Sequence, residues 1–131
     1  MAKVVDLLED KGFYIGEDIA LRVQVFKRDD VTPDDLSTWV LITFTLKNKA
    51  ADAVALFQKT VGAGIAVVNA DPTNFPEEVA GANSVIEITI GDTDTDGLTA
   101  GFKAYQVKRM DAGSEGIVAL GTVEVHQSVS L

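Results

Sequence analysis

The sequence predicts an all-β chain folded as an antiparallel β-sandwich of about seven or eight strands, and three observations carry that prediction. Apolar residues recur at every second position through several short runs, which is the period of a half-buried strand. Clusters of Gly, Pro, Asn, Asp and Ser separate the runs, and these residues are turn formers. No long stretch repeats its apolar residues at helical spacing.

The elements follow in order. IALRVQVF at residues 19–26 turns Ile19, Leu21, Val23 and Val25 toward a core and Arg22 and Gln24 toward water. Beyond the turn DDVTPDDLS, TWVLITFTLK places Val40, Ile42, Phe44 and Leu46 on one face, with Trp39, Thr43 and Thr45 on the other. AVALFQKT is short and runs into the glycines of VGAG, which favours a strand over a helix despite its alanines. GIAVVN adds another strand, and the two prolines of NADPTNFP interrupt pairing after it. NSVIEITI then alternates Ile86, Ile88 and Ile90 against Glu87 and Thr89. FKAYQVKRM brings Tyr105 and Val107 to one face, and a Gly-rich turn at residues 111–116 leads into IVALGTVEV, where Gly121 is expected to bend or bulge the strand. Residues 1–12 stand apart from the sandwich of residues 13–131 as an N-terminal arm, a short helix or an added edge strand.

Composition narrows the function. A chain of 131 residues makes one domain, and 47% hydrophobic with 24% charged residues is the balance of a folded protein. Its apolar runs fall short of the roughly 20 residues that cross a bilayer, and MAKVVDLLEDKG lacks the apolar centre of a signal peptide. The sequence therefore predicts no membrane partner. Twenty acidic against eleven basic residues give a net charge of −9, which repels a phosphate backbone, so nucleic acid is not an expected partner. The absence of cysteine removes disulfides, thiolate metal sites and cysteine nucleophiles. Stability must come from packing, sheet pairing or subunit association.

GDTDTDGLTAGFK at residues 91–103 opens like a calcium loop, with Asp92, Asp94 and Asp96 alternating ahead of Gly97. Alternate carboxylates in a tight turn converge on one centre. The last position of such a loop, counted from Asp92, needs a bidentate acid and holds Lys103 instead. The loop is incomplete, and calcium would need ligands from a neighbouring loop. No other cofactor is indicated.

The succession FYIGEDIALRVQVF, TPDDLSTWVLITFTLK, QKTVGAGIAVVNADP, VIEITIGDTDTDGLTAGFKAYQVKR and IVALGTVEV resembles the immunoglobulin-like domain common in tailed-phage virion proteins, and in particular the N-terminal domain of upper-baseplate proteins. The resemblance runs from about Gly12 to Val125. Its most telling part is acid-Thr-x-x-Leu-x-x-Gly-aromatic-x-x-Tyr-x-Val, met by Asp94, Thr95, Leu98, Gly101, Phe102, Tyr105 and Val107. The resemblance implies an immunoglobulin-like antiparallel sandwich and a virion structural protein, folded and assembled in the host cytoplasm. Its implied partners are other phage structural proteins and further copies of itself in an oligomer or ring. The tail or baseplate is the first expected location, and head decoration, collar or connector the next.

That resemblance also gives the aspartate run a structural role. Asp94 or Thr95 caps a single helical turn, Leu98 plugs the end of the sandwich, Gly101 starts the next strand and Tyr105 lies near that corner. Asp92 and Asp96 are then surface charges. The alternative from another class is a calcium- or carbohydrate-binding β-sandwich module using Asp92, Asp94 and Asp96.

No residue pattern recommends catalysis, and the sequence reads as non-enzymatic, without catalytic residues. His126 is the sole histidine, at the end of the last strand, and the serines at 37, 84, 114, 128 and 130 lack a nucleophile-elbow sequence. The pairs Asp29–Asp30, Asp34–Asp35 and Glu77–Glu78 sit in turn-like segments, where solvation explains them. VGAGIAV lacks the Lys-Ser/Thr ending of a phosphate cradle. The candidate contact residues are aromatic: Phe13, Tyr14, Trp39 and Phe75. Trp39 falls opposite the apolar face of its strand by alternate counting, which predicts packing beneath an added arm or a neighbouring subunit.

Overall fold

The computed structural model describes residues 3–6, 13–16, 18–29 and 31–127. Its strands are β1 (Lys3–Asp6), β2 (Phe13–Tyr14), β3 (Ile19–Phe26), β4 (Ile42–Lys47), β5 (Phe57–Val61), β6 (Gly64–Val68), β7 (Val85–Ile90), β8 (Gly101–Arg109) and β9 (Gly116–His126). One helical turn, α1 (Asp92–Thr95), links β7 to β8. The fold is all-β. The strands form a single sheet in the order β1-β3-β7-β6-β5-β4-β8-β9-β2. It is mixed and continuous rather than the wholly antiparallel sandwich expected, because β2 runs parallel to β9 and β5 parallel to β6 while the other pairs are antiparallel. β1 also approaches β9, so the sheet curls toward closure around one core.

Alternation builds that core. Along β4, Ile42, Phe44 and Leu46 are buried while Thr43, Thr45 and Lys47 between them are not. Ile86, Ile88 and Ile90 of β7 and Tyr105 and Val107 of β8 enter the same cluster, where the Phe44 and Tyr105 rings stack with centroids 6.3 Å apart. Burying each large aliphatic side chain contributes about 1.5–3 kcal/mol. Leu36, between β3 and β4, plugs the cluster from a loop.

Several expectations are corrected. Arg22 and Gln24 do not face water: both are buried, because residues 69–84 fold over the outer side of β3. Val40 is not a core residue, since β4 begins only at Ile42 and Val40 is 63% exposed. The AVALFQKT strand is shorter at its start than expected, with β5 beginning at Phe57. Gly121 sits in regular register opposite Tyr105, and the irregularity in β9 lies instead at Val118, where Val107 opposes Ala119 and Lys108 opposes Ile117. Phe13 is a core residue, delivered by the parallel pairing of β2 with β9.

For the N-terminal segment, Lys3–Asp6 forms the edge strand β1 against β3. Residues 1, 2 and 7–12, the rest of the expected arm or helix, lie outside the described residues.

Candidate functional site

The aspartate run forms the corner between β7 and β8. The Asp94 carboxylate accepts the Gly91 N–H at 2.7 Å, closing the first turn of α1, and pairs with Lys59 Nζ at 2.7 Å. The Lys59 ammonium, with the Gly91 N–H, holds the Asp94 carboxyl below its ordinary value. Asp92 is exposed, and its own N–H donates to Asp18 Oδ1 at 2.7 Å. Asp96 is exposed at the end of the turn. The buried Thr95 hydroxyl accepts the Gly16 N–H at 2.8 Å and donates to Asp92 O, tying the corner to the chain after β2. Among the described residues, no group of three or more His, Asp or Glu is arranged to hold a metal ion.

Beyond the turn, Leu98 packs against the core and Gly101 opens β8 at φ 130°, a backbone region that favours glycine. Lys103 is buried in β8, with Nζ donating to Asn48 Oδ1 at 2.9 Å and Thr99 Oγ1 at 3.1 Å. The Tyr105 hydroxyl is buried with no hydrogen-bond partner among the described residues. Among the described residues it therefore makes no hydrogen bond of the kind that defines a tyrosine corner.

The aromatic candidates are scattered. Phe13 is in the core and unavailable for contact, whereas Tyr14 is half exposed, its ring 4.9 Å from that of His126. Trp39 is half-buried against the core, lies before β4 and carries the Arg109 guanidinium over its ring at 4.5 Å. It walls a groove of about 460 Å³ shared with Lys27, Arg28, Arg109 and Ile117. Phe75 stacks over the Arg22 guanidinium at 4.2 Å. The acidic pairs divide as well: Asp29 accepts hydrogen bonds from Thr32 and Val31, which lower its carboxyl to about 2, while Glu78 is buried rather than solvated.

Alternate counting missed the Arg22 cluster entirely. Arg22 donates to both oxygens of Glu78 at 2.7 and 3.0 Å, to Glu87 at 2.6 Å and to Asn69 O at 3.1 Å. Gln24 exchanges hydrogen bonds with the backbone of Val79 and donates to Ser84 Oγ. Together these bonds clamp residues 69–84 onto β3 and β7. The polar residues at alternate positions of β3 were visible in the sequence, but the cover over them was not.

On the other side, the outward positions of β4, β8 and β9 remain open. Phe102 is 69% and Leu120 62% exposed there. A hollow of about 100 Å³ beside Leu120 is lined by small and polar residues, including Ala50, Ala104 and Gly121.

These features define an all-β domain with one braced corner, one clamped loop and one open sheet face. No family model matches the chain, and no curated protein matches it. Among solved structures, an endo-beta-1,4-mannanase from Thermotoga petrophila is similar to it at 10% identity and a TM-score of 0.47, covering 99% of this chain and 20% of that one. The chain thus spans about a fifth of that protein's length, and a likeness this distant assigns no activity. It does correct one reading: the similar structure is an enzyme's, and the sequence-based exclusion of catalysis is withdrawn.

Proposed function

We infer that the chain is an immunoglobulin-like structural domain of a tailed-phage virion, present in multiple copies in the tail or baseplate. The observation that carries this reading is the β7–β8 corner. The set Asp94, Thr95, Leu98, Gly101 and Tyr105, which carries the sequence resemblance, acts as a unit: a capped turn, a plug, a strand start at positive φ and a core aromatic. The sheet order supports the immunoglobulin-like part. β1-β3-β7-β6 and β4-β8-β9-β2 form two groups joined through β5, and the two-residue strand β2 pairs parallel with the last strand, β9.

Adhesion by surface complementarity is the mechanism this reading requires. Immunogold labelling of purified particles from the source, with mass spectrometry of the same particles, tests it. Label at the tail tip is expected. Label over the capsid or neck would move the chain to decoration or connection, and particles lacking the chain would end the virion reading.

A further inference from the structure

Charge is distributed unevenly over this chain. The strands β4, β8 and β9 contain one acidic residue, Glu124, against Lys47, Lys103, Lys108 and Arg109, although the whole chain carries −9. Lys103 points inward, so the outer face presents Lys47, Lys108 and the acid Glu124 around exposed Phe102 and Leu120, with Glu124 directly opposite Phe102. The segment 69–83 is the opposite in character. It holds Asp71, Glu77 and Glu78 without any lysine or arginine, and it displays Phe75 and Val79 at 36% and 45% exposure. Glu78 turns inward to Arg22, which leaves Glu77 at the surface beside those two apolar side chains.

Both surfaces face away from the common core, one over β3 and β7 and the other on β4, β8 and β9. We propose that they are the two halves of one contact between copies of this chain, the Phe75–Val79 segment of one copy seating on the Phe102–Leu120 face of the next. Self-association of a chain this acidic needs a patch poorer in acids than the rest of the surface, and the open face holds one acid, Glu124, against two lysines. Glu77 then meets Lys47 or Lys108, and an apolar side chain of the segment enters the hollow beside Leu120. Because the two surfaces differ, the contact is head-to-tail, and repeating it generates a ring or a filament rather than a closed pair. The inference rests on the multiple-copy reading but not on the virion.

Sedimentation velocity over a micromolar to millimolar series tests it. The chain is expected to associate progressively, and Leu120→Asp and Glu77→Lys each to weaken association about tenfold or more. The decisive step mixes the two variants. Leu120→Asp retains a good segment and Glu77→Lys a good face, so the mixture forms one-to-one pairs that neither variant forms alone. Should Leu120→Asp unfold, Thr122→Glu places an acid on the same face in its stead. A chain monomeric throughout the series, variants that associate like the parent, or a mixture that stays monomeric would each overturn the proposal. Particle labelling without self-association removes only this contact, and self-association without particle labelling removes only the virion.

Discussion

Arg22 shows how a charged side chain is kept inside a β domain. Its guanidinium is surrounded by two carboxylates, a backbone carbonyl and the face of Phe75, and the adjacent carboxylates raise its already high pKa. Removing one partner leaves buried charge poorly compensated, so Glu78→Ala is expected to cost about 3 kcal/mol in urea unfolding. Tyr105 is the opposite case. Its hydroxyl is buried without a partner among the described residues, so Tyr105→Phe is expected to hold or raise stability by up to about 1 kcal/mol. A cost comparable to a lost hydrogen bond would instead place a tyrosine-corner bond at this site. At Asp94 the folded carboxyl titrates below its unfolded value of 3.8. Its contribution is therefore complete above that pH and lost as pH falls through the lower folded value. The stability gap between the parent chain and Asp94→Asn should close over that acid window, read from urea midpoints against pH. Because Asp94 is already engaged by Lys59 and Gly91, millimolar calcium is expected to leave the Tm unchanged.

Elements depend on a few positions that local patterns mark unequally. Gly101 opens β8 at φ 130°, and the motif spacing had placed a strand start there. Gly101→Ala should destabilise by about 1–3 kcal/mol, measurable in the same unfolding assay. The bulge in β9 was not legible, because Val118 is an ordinary β-former and nothing local says where β8 and β9 slip register. Trp39 misled for a related reason. Counting backward from Ile42 assumed a strand that had not yet begun, so the parity assigned to Trp39 had no meaning. The loop at residues 69–84 was recognised as long, but its role as a cover depends on Arg22 and Gln24, more than forty positions earlier in the chain.

For the whole molecule, the segregation of charge matters more than its total. An acidic chain with one cation-bordered sheet face should associate less as ionic strength rises, since screening acts on exposed pairs over about 8–10 Å. Self-association measured across a salt series should fall accordingly, and an increase with salt would point to a purely apolar contact. The open face was present in the sequence as the alternation Phe102, Ala104, Gln106 and Lys108. Its identity as a surface required knowing that Lys103, Tyr105 and Val107 point inward.

What the sequence determined by itself is the all-β class, the rough positions of most strands and one face of each. Alternation is a local property, and the preference of apolar side chains for burial acts on it directly. Tertiary structure decided what covers the second face: residues 69–84 over β3, and nothing among the described residues over β8. Phe13, a contact candidate by composition, became core through its pairing with β9 at the far end of the chain. The physical reason is common to all three cases. Local period determines which side chains point together, while burial depends on contacts between segments that no local pattern relates.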